Sequence, residues 1–530
     1  MVVFAASRIL GLLRDRAIGG TFGSGAATGA FVSAYLIPDV LYLLLAGGAL
    51  SAAFVPLFTA HLARGEHEQA SSLANSILNL LVLTSAAVSV AAAAAAPTLV
   101  RIVAPGYSSS PDSDFELSVR LSRVMTPMLI FTAVSALFAG ILNSHEHFLA
   151  PALGWCFFNI AIIGMTVSLG TKLGILAPTL GVLIGAVTLC VTQVPPLIAR
   201  GFRYRAVMAL KEPGVRQFVR MVAVSTVGLT VGQLNILFVP CILASFFGGD
   251  AVTNVRFATR LMALPLGVFA VAVATAAFPS LARQHATQSA EDFKKNLVSA
   301  LNALVLISAP VSAALFILAE PIVRLLYGTG RFDETAIRGT AFALTFYAVG
   351  ITAFAGVQLL ERAYFARRDM LTPTLFAAAA VCITVGGGLA LSRTSLGYAG
   401  PGLACSVSGV VNFALAFTAL RRQMKGLRSR EVLSCGFRCL AAAAPMAAVT
   451  YLCASALAGP LSVEPPRLLG LSLPTGAAAN GSGAMGVALQ VTGACAAGAV
   501  VYAAALLAFR VEEARAAAEW LSVFVRRSRS

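Results

Sequence analysis

"AAFVPLFTAHLARGEHEQASSLANSILNLLVL" (residues 52–83) has a second version further along the chain, "AAFPSLARQHATQSAEDFKKNLVSALNALVLI" (276–307). Each begins with Ala-Phe at the end of an apolar run, passes a proline (Pro56, Pro279), crosses a short polar connector and enters a new apolar span. Two further pairs keep nearly the same spacing. "AGILNSHEHFLAPAL" (139–153) aligns with "ERAYFARRDMLTPTL" (361–375), matching Pro151 to Pro373, and "FGSGAATGAFVSAYLIP" (22–38) aligns more loosely with "FGGDAVTNVRFATRLMALP" (247–265). Offsets of about 222–227 residues at three places mark an internal duplication.

The duplicated unit is a set of membrane spans. Of 530 residues 58% are hydrophobic and 11% charged, with a mean hydropathy of +0.85, against roughly 25% charged residues in soluble domains. Apolar stretches of about 20 residues recur, each able to cross ~30 Å of hydrocarbon as a helix. No alternating ten-residue strand pattern occurs, which argues against a barrel. The spans read as 1–19, 28–58, 73–95, 122–143, 148–170, 174–199, 218–246, 250–280, 297–319, 340–365, 372–391, 399–420, 433–457 and 484–509, about fourteen transmembrane helices of an all-α polytopic membrane protein. The repeat equals six helices, an even number, so the two copies share one orientation, as in transporter folds built from parallel repeats. The expected division is an N-lobe at 1–217 (helices 1–6), a C-lobe at 218–425 (helices 7–12), helices 13–14 at 426–510, and a basic tail at 511–530. The Gly- and Pro-rich stretch 460–486 is expected to be a loop without periodicity.

The net charge of +16 lies mostly on one set of connections: "RGFRYRAVMALKEPGVR" (200–216), "KK" (294–295), "RRD" (367–369), "RRQMKGLRSR" (421–430) and "RRSRS" (526–530). The positive-inside bias places these loops and both termini in the cytoplasm, where they orient the chain and touch anionic lipid rather than nucleic acid. The N-terminus lacks a basic lead-in, and its apolar stretch is broken by Arg8 and Arg14, which excludes a cleavable signal peptide and leaves open a natural start upstream of Met1. The nine cysteines form no CxxC; most lie singly within spans, and Cys435 and Cys439, one turn apart, lack further ligands for a metal. No metal and no cofactor is expected.

Against that background the charges inside spans stand out. "SRILGLLRD" (7–15) puts Arg8, Arg14 and Asp15 into the first span, and "NVRFATRLMALP" (254–265) puts Arg256 and Arg260 one turn apart near the start of the eighth. An arginine at mid-bilayer costs roughly 2.5–3.5 kcal/mol on insertion scales, so it faces a partner or a water-filled cavity unless it snorkels to the surface. Snorkelling is an open reading for Arg8, and Arg256 lies close to the start of its span. A guanidinium is a permanently charged planar fork suited to phosphate or carboxylate. An anionic group that must cross the membrane is therefore the expected guest of Arg8, Arg14, Asp15 and Arg260, with Ser7, Tyr42, Arg256 and Arg331 as secondary candidates. Asp112, Asp114 and Glu116 in "SSSPDSDFELSVR" (108–120) could serve a membrane glycosyltransferase, but helix capping and first-turn placement explain them better. His145, Glu146 and His147 sit in a short exposed turn, and "YGTGRFD" (327–333) lacks phosphate-loop spacing.

At these residues the chain resembles the MurJ/MviN lipid II flippases of the MOP transporter superfamily. The likeness runs through "SRILGLLRD", "FGSGAATGAF", "LIPDVL", "GALSAAFVP", "RLMALPLGVFAVAVATAAFPSLA" and "YFARRDMLTPT", over about residues 4–425. It implies a carrier, not an enzyme, with no catalytic residues. Its partner would be lipid II, the undecaprenyl-pyrophosphate-linked disaccharide-pentapeptide, turned from the cytoplasmic to the periplasmic leaflet of the bacterial inner membrane by alternating access for cell-wall synthesis. It further implies a cationic cavity holding Arg8, Arg14, Asp15 and Arg260, with Arg14 and Arg260 on the pyrophosphate, and a lipid-tail groove involving helices 13–14. Membrane lipids are expected partners, and the cell-wall synthesis machinery a further one. A flippase for another lipid-linked oligosaccharide and a MATE-like drug or cation antiporter are the alternatives; the antiporter is disfavoured by the scarcity of carboxylates beyond Asp15 and Asp39. The family usually has an acid where Gly29 and Gly47 stand, Arg at Tyr42, Asp at Thr259, and a polar position where "GGG" (386–388) stands. With few carboxylates left, the expectation is that membrane potential drives turnover, rather than a proton or sodium gradient.

Overall fold

Inside hydrocarbon a segment must satisfy its own backbone N–H and C=O groups, and the apolar spans accordingly fold as helices. The computed structural model describes residues 2–45, 49–109, 114–209, 211–367, 369–458, 460–461, 463, 484–509 and 511, and no strand occurs among them.

The chain forms two compact units. The first, Met1–Arg256 with Thr329–Ala336, contains α1 (Val2–Phe22), α2 (Ala26–Leu45), α3 (Ala49–Ala63), α4 (His67–Ala94), α5 (Ala96–Val103), α6 (Asp114–Met125), α7 (Met128–Ser144), α8 (Leu149–Leu173), α9 (Leu176–Val191), α10 (Val194–Ala199), α11 (Pro213–Gln233), α12 (Val239–Ala244) and the start of α13 (Gly249–Pro265). Here α8 packs along α9 and α1, while α7 lies against α3, α4 and α9. Leu50, Phe54, Leu73, Ile77, Leu137 and Ile141 form the main buried apolar cluster.

The second unit, Phe257–Gly328 with Ile337–Ser530, contains the rest of α13, then α14 (Val271–Ala286), α15 (Ala290–Ile317), α16 (Ala319–Tyr327), most of α17 (Glu334–Ala366), α18 (Leu371–Leu391), α19 (Gly400–Gln423), α20 (Ser429–Ala458) and α21 (Ala484–Ala508). The pairs α18–α19 and α20–α21 run side by side, and α20 also lies on α15. The Tyr364 hydroxyl on α17 donates to the Ala416 carbonyl on α19 at 2.8 Å, and the Ser406 hydroxyl on α19 donates back to Phe346 at 2.7 Å.

The duplication is visible in the order of elements. Pro56 and Pro279 both lie within helices, α3 and α14. Each is followed by a helix of 28 residues, α4 and α15, and then by a short amphipathic helix with a base in its last turn, α5 with Arg101 and α16 with Arg324. Pro151 and Pro373 stand in the first turns of α8 and α18, where a missing N–H costs no helix bond. Pro240 and Pro265 sit beside five-residue π-helical turns, Leu234–Phe238 and Leu266–Ala270, which absorb the hydrogen bonds a proline interrupts.

The count of fourteen spans is not confirmed. Among the described residues eleven helices are long and apolar enough to cross a membrane, or twelve if α6 and α7, bent by 42° at their break, form one span. Helix α1 exists as expected but carries Arg8, Arg14, Asp15 and Arg16 in 21 residues. In the 218–246 stretch Val231–Phe247 is an apolar helix shorter than a full span among the described residues. Residues 218–256 group by contact with the first unit, although the second sequence repeat begins at 218.

Candidate functional site

Helix α1 is only weakly apolar, and its charges are arranged by its neighbour α8. The Arg14 guanidinium donates from Nε and Nη2 to Asp15 Oδ1, at 2.9 and 2.7 Å, and from Nη1 to Asn159 Oδ1 at 3.2 Å. Asn159 on α8 is 5% exposed, and its amide nitrogen donates to the carbonyls of Trp155 at 2.9 Å and Ser7 at 3.4 Å. Both ends of this amide are thus used, which fixes its orientation and that of the guanidinium. Ser7, Arg14 and Asp15 therefore belong to one cluster. Asn159 is the member that sequence reading missed; its one signal was an amide inside the apolar run "FFNIAIIG" (157–164).

Arg8, nearly two turns earlier on α1, is exposed. Arg16 is half-buried and lines an open groove of about 660 Å³ with Leu10, Leu13, Ile160 and Ile163. Arg331 is exposed, while its backbone N–H donates to the Gly20 carbonyl at 2.8 Å, so its turn packs on the end of α1.

A second charged pair joins α13 to α2. Arg256 Nη2 lies 3.6 Å from Asp39 Oδ2, with side-chain exposures of 6% and 24%. Tyr42 follows Asp39 by one helical turn on α2 and is partly buried against the main apolar cluster. Arg260, one turn beyond Arg256, is half-buried and belongs to the second unit.

The replaced positions have packing reasons where they are described. A Cβ on Gly29 would stand 2.3 Å from Gly249 Cα, and one on Gly249 would stand 2.9 Å from Ala26 Cα. Here α2 and the start of α13 approach through glycine alone, as small residues permit between membrane helices. An acid at 29 has no room. Thr259 is fully buried, Gly386 faces open space, and Gly47 lies outside the described residues. Asp112 and Ser113 also lie outside them; Asp114 and Glu116 occupy the first turn of α6, where their charge favours the helix dipole.

Duplicated helical spans, with one arginine–carboxylate pair within α1 and another between α13 and α2, define a polytopic integral membrane protein built from parallel repeats, and solved structures share its fold. The solved structure of a lipid II flippase MurJ in an inward closed conformation matches with a TM-score of 0.77 at 23% identity, covering 96% of this chain and 99% of the other. An inward-facing multidrug resistance MATE family transporter of the MOP superfamily matches with a TM-score of 0.65 at 15% identity, covering 79% and 94%. The chain belongs to the lipid II flippase MurJ family, whose profile matches residues 18–466. The lipid II flippase MurJ of Burkholderia cenocepacia is 30% identical over 427 residues, 79% of this chain and 81% of the relative. The probable lipid II flippase MurJ of Rhizobium meliloti is 30% identical over 473 residues, 87% and 86% respectively.

Proposed function

We propose that the protein flips lipid II, the undecaprenyl-pyrophosphate-linked peptidoglycan precursor, from the cytoplasmic to the periplasmic leaflet by alternating access, as a carrier and not an enzyme. Family membership supports the cargo. The observation that carries the mechanism is the Arg14 guanidinium, held by Asp15 and Asn159 inside a membrane protein. A pyrophosphate oxygen takes over the N–H donors now used by Asp15, a like-for-like exchange of one anionic oxygen for another. The disaccharide-pentapeptide is too polar to cross hydrocarbon unaided, while the undecaprenyl tail stays in the bilayer. Arg260, in the second unit, remains a proposed anion ligand in its own right, and Arg8, Asp15, Ser7, Tyr42, Arg256 and Arg331 keep their proposed places at or near the route.

The outward apolar residues of α20 and α21, among them Leu433, Phe437, Leu452, Met485 and Val500, are exposed and supply surface for the lipid tail. The membrane is the bacterial inner membrane, with both termini cytoplasmic by the positive-inside bias. Membrane potential is the proposed driving force: Asp15 and Asp39 are each paired with an arginine, Gly29 has no room for a carboxylate, and each elementary charge feels ~2.3 kcal/mol per 100 mV.

Complementation tests this reading. Cells depleted of their own lipid II flippase should grow and expose lipid II when this chain is expressed. Failure at normal abundance in the membrane would overturn it.

A further inference from the structure

Two of the basic connections counted in the sequence, 367–369 and 421–430, meet the α14–α15 turn in the second unit. They enclose a cavity of about 330 Å³ lined by Gln284, His285 and Gln288 around the α14–α15 turn, by Arg367 just beyond α17, and by Gln423 and Lys425 at the end of α19. On the proposed topology it faces the cytoplasm.

Two orphaned polar atoms single it out. Arg367 Nε and Gln284 Oε1 are both buried without a hydrogen-bond partner. One is a donor on a permanent cation and the other an amide acceptor, and burying such groups unpaired is costly. Gln288 and Lys425 also hold left-handed backbone, with φ of 56° and 52°, where glycine or asparagine is usual. Glu146 is the one other non-glycine residue in that region among the described residues, so two of the three line this cavity. Bases at helix C-termini are ordinarily explained by the helix dipole, and that accounts for His285 and Lys425. The left-handed backbone closes the C-caps of α14 and α19, where the Ser289 N–H donates to the Gln284 carbonyl at 3.0 Å and the Gly426 N–H to the Arg421 carbonyl at 2.9 Å; the buried Arg367 Nε and Gln284 Oε1 are explained by neither the dipole nor the caps.

The nearby carboxylates are committed elsewhere. Asp369 accepts from the Thr372 backbone N–H at 3.0 Å, the Thr372 hydroxyl at 2.7 Å and Gln423 at 3.4 Å, which caps α18. Glu291 is exposed and paired with Lys294 at 2.8 Å. The balance of free charge at the cavity is positive.

We propose that this cavity binds a phosphate group, with Arg367 and Lys425 supplying the cations and Gln284 accepting a hydroxyl of the same ligand. The chemistry fits a soluble phosphate with a P–OH group and equally a phosphatidylglycerol headgroup with its glycerol hydroxyls. Binding ties together the ends of α14, α17 and α19. The site is separate from the Arg14 cluster and does not depend on lipid II being the cargo.

The full chain in nanodiscs tests this, read by its thermal unfolding midpoint. One arm titrates inorganic phosphate into phosphatidylcholine nanodiscs, and the other raises the phosphatidylglycerol content with no phosphate present. A saturable rise is expected in at least one arm, and the responding arm identifies the source. In that arm Arg367→Gln and Lys425→Gly should each weaken the response about tenfold. Lys425→Gly relieves the left-handed backbone, so it should fold at least as well as the parent in ligand-free phosphatidylcholine, which separates lost binding from lost folding. No saturable response in either arm, or wild-type affinity in either variant, would overturn the proposal.

Discussion

Arg14 meets Asp15, its neighbour in the chain, through two short N–H donors, while Arg256 meets Asp39 on another helix by a single 3.6 Å approach. Both pairs lie in the first unit, yet their costs of opening differ. Asp15 can release Arg14 by a side-chain rotation within α1, and the side chain retains 12% exposure. Arg256 is more deeply buried, and breaking its contact with Asp39 removes one of the ties between α13 and α2. A charge that can change partners without moving a helix suits a passing anion. One that holds two helices together suits the scaffold.

Substitutions should break the two pairs in different ways. Arg14→Ala should cut lipid II flipping on the order of 100-fold at normal abundance, from the loss of charged hydrogen bonds. Arg14→Lys keeps the charge but loses the fork, and should lie between. Flipping measured in complemented cells, with membrane abundance determined in parallel, checks both. Equal activity in the alanine variant would erase the distinction drawn here.

Arg256→Ala should act through stability, costing about 1–3 kcal/mol by leaving Asp39 without its cation. Abundance and activity should fall together, and the double substitution Arg256→Met with Asp39→Leu should recover most of the folded protein. A purely kinetic defect at full abundance would move Arg256 to the side of Arg14. Gly29→Asp restores the acid usual in the family but forces α2 away from Gly249, so it should lower the thermal midpoint and activity rather than improve them. The smallest effect belongs to Asn159→Leu, about 3–10-fold in flipping, since one neutral partner of Arg14 is lost while Asp15 remains. Unchanged flipping there would show that Asp15 alone positions the guanidinium.

Much of this was legible in the residues. The duplicated prolines fix where helices bend or begin, and the apolar runs fix where helices lie. Arg14 beside Asp15 could be read directly, because neighbours in a chain stay neighbours in space. Helical period shows the faces of one helix but not which helix packs on them, so Asn159, far along the chain, gave no pairing signal. The same limit hid the reason for Gly29, which lies in the backbone of Gly249 and not in its own helix. The first span, 1–19, was legible as the helix α1 despite its four charged residues, although those charges keep it out of the eleven or twelve spans that apolarity alone supports among the described residues.

The most direct measurement is lipid II transfer by the purified full chain in proteoliposomes, with lipid II exposure followed by an added enzyme that acts only on the outer leaflet. With the wild-type chain, transfer should exceed that of protein-free vesicles, rise with an imposed membrane potential and fall to near background for Arg14→Ala. Transfer no faster than in protein-free vesicles would contradict the account.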